Sequence, residues 1–323
     1  MTKVIGTHDG QFHCDEALAV FMLKRTAAFK ESNVVRTRDP EQLAKCDVIV
    51  DVGGVYDPAT MRFDHHQRGF SETFNANRSI KLSSAGLIYK HFGKEIIASQ
   101  LGLEVTDSKV AILYDKIYED FIEALDAVDN GINQYPREIP AMYKETTTLP
   151  SRVATLNPWW NQKDVDVNKQ FTKASELAGS VLVDKIEYLG KAWFPAREIV
   201  LKAFEERFEF DKLGRIMVLE QYCPWKDHLF NIEEETKVTS DTQPLYIIYP
   251  NPNSWRVQAV PVSLDLFDSR KPLPEAWRGL RDSELSERAG VKGCVFVHMS
   301  GFTGGNLTRE GVLEMTKKAL EIE

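Results

Sequence analysis

The sequence predicts an α/β protein of two domains: a catalytic-type domain with a parallel sheet, then a smaller α/β domain. Three observations support this. The first half alternates short β-rich segments with helical ones, which is typical of parallel sheets with right-handed crossovers. The 323 residues exceed the length, about 250–300 residues, at which one core usually stops growing. Strand patterns return after a mostly helical middle, so we place the boundary near Glu205, between domains 1–205 and 206–323.

The first half contains four strand-like segments, in order KVIGTH, NVVRTR, DVIVDVGG and MRFDHH. DVIVDVGG is a nearly continuous apolar run, as expected of a buried parallel strand. Helical spacing of apolar residues, cap-type serines and terminal glycines predict three helices. These helices cover DEALAVFMLKRTAAF, SSAGLIYKHFGKEIIASQLG and KVAILYDKIYEDFIEALDAVDNGI.

The second half begins with a mostly helical stretch from about Asp164 to Phe208, interrupted at Pro195. Four strand-like segments follow, which are RIMVLEQY, PLYIIYP, WRVQAVPV and GCVFVHMS. The segment TREGVLEMTKKALEI then predicts a final helix. The sequence therefore predicts a second, smaller α/β domain.

Composition narrows the class of protein. Hydrophobic residues make up 43% of the chain and charged residues 27%, as in a globular protein. Four scattered cysteines without a CxxC pair predict neither a disulfide framework nor a zinc ribbon. The net charge of −8 argues against nonspecific coating of nucleic acid. Without a signal core or a membrane-length apolar run, we expect an intracellular protein of cytoplasm or nucleus, with a mitochondrial pool and oligomerisation left open.

Histidine and aspartate side chains collect where the predicted strands end. In an open α/β sheet, ligands bind beyond the carboxyl ends of the strands, so this shared placement predicts one site. A further pair of aspartates, Asp126 and Asp129, lies three apart near a predicted helix end. The strand-end residues are His8, His13 and Asp15 in one loop, Asp51 after the next buried strand, and Asp64, His65 and His66 after the last.

Mixed imidazole and carboxylate groups suit Mn²⁺, Fe²⁺, Zn²⁺ or Mg²⁺. The set is too large for a single ion, and it fits two divalent ions that share a bridging carboxylate. Such a pair lowers the pKa of a shared water and clamps the attacking and leaving oxygens at phosphorus. The residues thus predict hydrolysis of a phosphoester or phosphoanhydride.

The order of these motifs resembles the DHH phosphoesterase superfamily, and more closely its Myg family (melanocyte proliferating gene product-like exonucleases). The resemblance covers nearly the whole chain and rests on HDGQFHCDEALA, RFDHHQRGF, KLSSAGLIY, WRGLRD and HMSGFTGGN. It implies a 3′-to-5′ exonuclease acting on single-stranded RNA or oligonucleotides, with manganese as the first choice of metal and magnesium or zinc as alternatives. His13 stands where the superfamily usually has an aspartate, which puts the metal preference in question.

The resemblance also implies individual roles. One metal would be held by His8, His13 and Asp51, and the other by Asp15, Asp51, His65 and Asp129, so that Asp51 bridges them. Asp64 would orient a histidine through its ring N–H. His66 would bind the phosphate or protonate the leaving oxygen. Asp129 is preferred because it lies beside the Asn130-Gly131 break, and Asp126 is kept as the alternative.

The second domain is expected to supply substrate contacts. Gly304, Gly305 and Asn306 follow a predicted strand, and glycines there can direct backbone N–H groups at an anion. A plain tight turn is the alternative. His298 is a candidate phosphate or ribose contact, or else a core histidine. Arg256 suits phosphate, or else forms a surface ion pair.

The tryptophans Trp159, Trp160 and Trp277 invite a base-stacking interpretation, but core or domain packing is preferred for each of them. Two alternatives to the exonuclease remain. One is a small-molecule phosphohydrolase acting on pyrophosphate or short oligonucleotides, which the acidic charge favours. The other is a metal-binding module without enzymatic activity.

Overall fold

The computed structural model describes residues 2–136 and 138–322, and the chain divides into two compact units. Unit 1 spans Met1–Gly190 and unit 2 spans Lys191–Glu323. This division precedes the boundary near Glu205 that the sequence suggested. The helix Phe194–Glu206 explains the difference, because its buried face packs with Met217 and Ile247 in a core of unit 2.

Unit 1 is built on a five-stranded sheet with strand order β2-β1-β3-β5-β4. β1, β2, β3 and β5 pair in parallel, and β4 pairs antiparallel to β5. The predicted parallel sheet is therefore confirmed, with one short antiparallel edge strand that the sequence did not indicate. The strands are β1 Val4–Thr7, β2 Asn33–Arg36, β3 Val48–Val50, β4 Tyr56–Asp57 and β5 Arg62–Phe63.

Helices cover this sheet, and α1 packs against both α3 and α7. The buried face of α1 includes Leu18 and Met22, which are fully enclosed. The helices of unit 1 are α1 Cys14–Lys24, α2 Pro40–Leu43, α3 Ser84–Leu101, α4 Ser108–Ile117, α5 Glu123–Asp129, α6 Leu149–Ala154 and α7 Val167–Tyr188.

The third predicted helix is interrupted. A π-helical turn at Tyr118–Ile122 separates α4 from α5. Such turns insert one residue into a helix and are frequent at functional sites. The insertion rotates α5 relative to α4, so it decides which way Asp126 and Asp129 face. A second π-helical turn spans Leu189–Trp193, close to the predicted break at Pro195.

Unit 2 contains a five-stranded mixed sheet of order β6-β7-β8-β10-β9. Only β6 and β7 pair in parallel, and the other neighbours are antiparallel. The strands are β6 Ile216–Val218, β7 Tyr246–Asn251, β8 Ser254–Ala259, β9 Cys294–Val297 and β10 Thr303–Asn306. The helices are α8 Phe194–Glu206, α9 Lys226–Thr236, α10 Asp282–Ala289 and α11 Arg309–Glu321.

The glycine-rich segment of unit 2 differs from the expected loop. Residues Thr303–Asn306 form β10, which lies between β8 and β9. Gly305 is required by this packing, because a Cβ there would lie only 2.9 Å from the Trp255 carbonyl oxygen. Within the described residues, no helix is long and apolar enough to span a membrane.

Candidate metal centre

The predicted site residues of unit 1 lie at the carboxyl ends of three neighbouring strands. β1 leads into the loop before α1, β3 is followed by Asp51, and β5 is followed by Asp64. Because β1, β3 and β5 are adjacent and parallel, these ends meet at one edge of the sheet. The topology thus brings together residues that are distant in sequence.

Three groups of histidine and carboxylate side chains converge at this edge, each with donor atoms within 4.8 Å of one another. Asp51 and His13 each belong to two groups, so the groups form one continuous cluster. The groups are His8, His13, Glu16 and Asp51; then Asp51, His65 and His66; then His13, Asp15 and Asp129. All six residues predicted as metal ligands lie in this cluster, together with Glu16 and His66.

His8 presents one ring nitrogen to the cluster and uses the other for its orientation. Nδ1 lies 2.9 Å from the Asp9 carbonyl oxygen, which fixes Nδ1 as the donor. Nε2 then lies 3.0 Å from Glu16 Oε1 and 3.4 Å from Asp51 Oδ2. Burial lowers the pKa of His8, but the bonds to Asp51 and Glu16 outweigh it and raise the pKa to about 10. A ring held through a backbone carbonyl is the usual arrangement of a metal-binding histidine.

Asp51 lies at the centre of the cluster, and its two carboxylate oxygens face different histidines. Oδ2 faces His8, whereas Oδ1 lies 3.4 Å from His65 Nε2 and 3.1 Å from the Ser84 hydroxyl. Its backbone has φ of 58°, a left-handed conformation that is uncommon outside glycine and turns the side chain out of the strand direction. Burial raises the pKa of Asp51, but the contacts with His65, His66 and His8 outweigh it and hold the pKa well below its usual range.

The adjacent histidines His65 and His66 have different environments. His65 Nε2 is buried and lies 3.2 Å from Asp129 Oδ2, without hydrogen-bond geometry to any described residue. The His66 side chain is 63% exposed, and its Nδ1 lies 2.9 Å from Oδ1 of the buried Asp64. The contact with Asp51 raises the pKa of His66, and burial lowers it. The contact with Asp64 adds to the rise, so that the pKa of His66 is about 9. One histidine is therefore turned inward and the other towards solvent.

Asp15 tests most directly whether the cluster suits a cation. Both of its carboxylate oxygens are buried, and neither accepts a hydrogen bond from the part of the chain that the structure describes. Burial and the neighbouring charges of Asp51, Asp129 and Glu16 raise the pKa of Asp15 well above its ordinary value. A buried, unpartnered carboxylate beside other carboxylates is unfavourable unless a cation compensates the charge. The donor set therefore fits divalent cations.

A cavity of about 440 Å³ opens beside the cluster in unit 1. Its polar wall includes His13, Asp15, His66 and Asp129, so the cluster is accessible from this side. The opposite wall is apolar or weakly polar and comprises Leu125, Val128, Pro150, Ser151 and Ala154. A phosphate ester entering this cavity would meet His66 and the carboxylates together.

Asp126 and Asp129, which the sequence could not separate, have different surroundings. Asp129 belongs to the cluster, where its Oδ2 lies 3.2 Å from His65 Nε2. Asp126 is fully buried, accepts hydrogen bonds from the Ser83 N–H and hydroxyl, and lies 3.1 Å from the Tyr118 hydroxyl. Asp126, the alternative ligand, thus belongs to none of the three groups found among the described residues. It is a buried structural residue that ties α5 to the start of α3.

Glu16 is a member of the cluster that sequence reasoning missed. It is fully buried, and both oxygens accept the His13 backbone N–H, at 2.9 and 3.0 Å, while Oε1 also faces His8. The spacing of His13 and Glu16 is that of a capping box at the start of α1. That spacing was the available signal, since it places a carboxylate beside the loop that carries His8 and His13.

The predicted substrate residues lie in unit 2. Arg256 is half-buried, with its guanidinium 4.5 Å from the Phe296 ring centroid and Nη1 unpartnered among the described residues. His298 is exposed rather than a core histidine, and its Nδ1 accepts the Ser300 N–H at 3.2 Å. Both side chains therefore retain polar atoms that have no carboxylate partner among the described residues.

Asn306 does not fit the expected role in substrate binding. Its side chain is fully buried, donates to the Lys292 carbonyl at 2.8 Å and accepts the Thr308 N–H at 3.1 Å. These bonds join β10 to the start of α11, so Asn306 is a structural residue. Gly304 and Gly305 are also buried within the sheet. Gly305 pairs with Arg256 on the neighbouring strand, which places its backbone beside that guanidinium.

Fold and site together define a two-unit α/β protein with a histidine–carboxylate cluster suited to divalent cations. The chain belongs to the MYG1_exonuc family, described as an uncharacterised protein family (UPF0160), whose model matches residues 4–320. This agrees with the family resemblance that the motifs indicated.

Relatives cover the chain from end to end. The MYG1 protein C27H6.8 of Caenorhabditis elegans is 49% identical over 100% of this chain and 96% of that protein. The MYG1 exonuclease of Homo sapiens is 47% identical over 98% of this chain and 85% of that protein. A structure of exonuclease RecJ bound to manganese covers 98% of this chain and 89% of its own, at 12% identity, but its TM-score of 0.25 is too low to bear on the fold.

Proposed function

We propose that this protein is a metal-dependent phosphodiesterase that shortens single-stranded RNA from the 3′ end. The observation that carries the proposal is the cluster around Asp51, in which carboxylates and histidines converge with buried oxygens that lack protein partners. The human relative is named an exonuclease, which supports the same class of reaction. The polarity and the preference for RNA rest on the family resemblance.

The residues that would hold two divalent ions divide around Asp51. His8 faces Asp51 Oδ2 and groups with His13 and Glu16, while His65 faces Oδ1 with Asp129 beyond it. Asp15 groups with His13 and Asp129. Two ions bound there would supply Lewis-acid activation of the phosphodiester and of the attacking water, with manganese as the first choice and magnesium or zinc as alternatives. Asp51 is proposed as the ligand that the two ions would share.

The remaining roles belong to side chains that face the cavity. Asp64 holds His66 Nδ1, which leaves Nε2 as the atom that can reach a phosphate oxygen. In this arrangement His66 binds the scissile phosphate and donates a proton to the leaving oxygen. Arg256, Gly305 and His298 of unit 2 are proposed as substrate contacts, because an arginine with an unpartnered buried N–H suits a phosphate.

The test is hydrolysis of a 5′-labelled single-stranded RNA with Mn²⁺, comparing the wild type with Asp51→Asn. We expect a ladder that shortens from the 3′ end, that is absent with EDTA, and that the variant loses. Circular dichroism of Asp51→Asn confirms that the fold is retained. A protein that binds Mn²⁺ but hydrolyses no phosphoester would contradict the proposal and support a non-enzymatic metal-binding module.

A small-molecule phosphohydrolase is the second candidate, and the net charge of −8 favours it. Pyrophosphate and dinucleotides assayed in parallel separate the two. Binding of a long RNA releases counterions and weakens steeply with added salt, whereas turnover of a small substrate responds less. Hydrolysis restricted to the small substrates, with little salt dependence, would retain the metal site and replace the substrate.

A further inference from the structure

Two adjacent tryptophans of unit 1, Trp159 and Trp160, are exposed to solvent. Their exposed fractions are 64% and 96%, whereas Trp193, Trp225 and Trp277 are buried. The packing role preferred from the sequence is therefore correct for Trp277 and wrong for this pair. Single exposed apolar residues are ordinary, but two neighbouring indoles facing water indicate a surface that binds something.

The pair is connected to the metal centre through Asn157. The Asn157 side chain accepts the Phe12 N–H at 3.0 Å and donates to the Phe12 carbonyl at 2.8 Å. Phe12 directly precedes His13 of the metal cluster. The preceding helix α6 contributes Pro150, Ser151 and Ala154 to the wall of the metal cavity. Asn157 is thus bonded to the metal-binding loop, and Trp160 lies three residues, or at most about 11 Å of chain, beyond it.

A hydrogen-bonded turn holds the backbone that carries the two indoles. The Gln162 N–H donates to the Trp159 carbonyl at 3.0 Å, and the Gln162 side-chain oxygen accepts the Trp159 N–H at 2.9 Å. Both tryptophans thus stand on an ordered turn rather than on unstructured chain. An ordered backbone loses less conformational entropy on binding than an unstructured segment would.

Charges of both signs lie near the turn. Arg152 on α6 and Lys163 after the turn are exposed, and neither has a carboxylate partner within ion-pair distance in the described ranges. Asp164 and Asp166 follow Lys163 and are also exposed, so charge alone does not select a polyanion. The argument for a nucleic-acid strand is the position of the indoles, which follow the helix that lines the metal cavity, because bases stack on aromatic side chains whatever their sequence.

We propose that Trp159 and Trp160 form a stacking platform for unpaired bases of a single-stranded nucleic acid whose scissile phosphate lies in the metal cavity. This inference rests on the proposed function and deepens it, because it gives the bases of the substrate a binding place on unit 1. The platform accounts for a preference for unpaired strands, since bases in a duplex are already stacked on each other.

The test is the affinity of the Mn²⁺-loaded protein for a labelled single-stranded oligo(U) RNA with non-hydrolysable phosphorothioate linkages, measured by fluorescence anisotropy. The double substitution Trp159→Leu with Trp160→Leu removes stacking and keeps the charge. Since one stacked base contributes about 1–3 kcal/mol, we expect the affinity of this variant for the RNA to fall about tenfold or more. The double substitution to Phe retains a π-face and should stay within about threefold of the wild type. Phe267→Leu is the matched control, because Phe267 is a fully exposed aromatic of unit 2.

Intrinsic fluorescence gives a second readout. Three of the other four tryptophans are buried and Trp255 is half-buried, so RNA stacking on the platform should quench the exposed indoles selectively. Inorganic polyphosphate, which has charge but no bases, should quench little. Equal affinity of wild type and Leu variant, or equal quenching by polyphosphate, would overturn the proposal.

Sedimentation of the wild type and the Leu variant completes the test. If the wild type is an oligomer and the Leu variant a monomer, the indoles form an interface between copies, and the platform is wrong. Because binding is measured without turnover, this result is distinct from a failure of the proposed hydrolysis, which is tested with Mn²⁺ and Asp51→Asn.

Discussion

Asp64 accepts two hydrogen bonds from His66 at a single carboxylate oxygen. Oδ1 lies 3.0 Å from the His66 backbone nitrogen and 2.9 Å from its Nδ1, while Oδ2 accepts the Gly54 N–H at 2.6 Å. Asp64 is 1% exposed, so this carboxylate is committed to the protein. The His66 imidazole is consequently held through Nδ1, and its Nε2 has no hydrogen-bond partner among the described residues. The two histidines of the DHH triplet therefore differ, since His65 faces the carboxylates of the cluster and His66 faces solvent.

The first prediction concerns His66. Because His66 faces the cavity and His65 faces the carboxylates, His66→Ala should lower kcat on RNA by about 10²-fold or more while Mn²⁺ affinity stays within about threefold. Steady-state kinetics and calorimetric titration of Mn²⁺ measure the two effects. His65→Ala is the comparison and should weaken Mn²⁺ binding itself. If His66→Ala loses Mn²⁺ as strongly as His65→Ala does, then His66 is a ligand.

The second prediction concerns metal removal and Asp15. The apo protein buries an Asp15 carboxylate that has no hydrogen-bond donor and is repelled by its neighbours. Asp15→Asn should therefore stabilise the apo protein at neutral pH, by about 1–3 kcal/mol in the free energy of unfolding, because it removes the cost of either burying the charge or taking up a proton. The same change should abolish the increase in melting temperature that Mn²⁺ gives the wild type.

Urea unfolding with EDTA and thermal unfolding with and without Mn²⁺ measure these opposite effects. A substitution that destabilises the apo protein, or one that leaves the Mn²⁺-dependent stabilisation intact, would show that Asp15 is a structural residue and not a metal ligand.

The third prediction separates the two roles of Glu16. Its carboxylate caps α1 and also faces His8. Glutamine can keep a capping box, so Glu16→Gln should retain stability within about 1 kcal/mol. If Glu16 contributes to the cation site, the loss of charge should nevertheless weaken Mn²⁺ binding and activity.

Glu16→Ala is the matched variant, since it removes both functions and should also lower the free energy of unfolding, by about 1 kcal/mol from the lost cap. Wild-type Mn²⁺ affinity in Glu16→Gln would limit this residue to its structural role.

Much of unit 1 could be predicted from sequence patterns. Alternating apolar segments gave β1, β2, β3 and β5, and the shared placement of polar residues at strand ends gave the cluster. The left-handed backbone conformation of Asp51 could not be predicted in this way, because no pattern of apolar and polar residues marks a position with positive φ. The burial of Asp126 was hidden for a similar reason, since its donor Ser83 lies 43 residues away in sequence.

The strands of unit 2 were harder to predict, because glycine occurs both in anion-binding loops and where neighbouring strands pack closely. The sequence TGGN has no side-chain pattern of a strand, so a loop that binds an anion was the natural interpretation. In the structure the same glycines allow β8, β9 and β10 to approach closely, and the strand is specified by its neighbours rather than by its own residues. Local propensity is a weak guide in such a segment.

The last prediction is a pH dependence of stability that comes from Asp126. Burial raises its pKa from the ordinary 3.8 to about 7, although hydrogen bonds from Ser83 and Tyr118 oppose the rise. The folded state thus holds a proton that the unfolded state has released above about pH 4. The resulting stabilisation is fully present below that pH and is lost as pH rises through about 7. Its size is on the order of 4 kcal/mol.

Asp126→Asn keeps the shape of the side chain and cannot release this proton. The measurement is urea unfolding with EDTA between pH 4.5 and 8, comparing the wild type with the variant, because the other titrating groups contribute nearly equally to both. The wild type should lose stability relative to Asp126→Asn as pH rises. Gly86→Ala is the control for packing, since a Cβ at Gly86 would lie 2.4 Å from the Asp126 oxygens, and it should destabilise at every pH. A constant difference between wild type and Asp126→Asn across this range would show that Asp126 is ionised throughout, held so by its three hydrogen-bond donor groups.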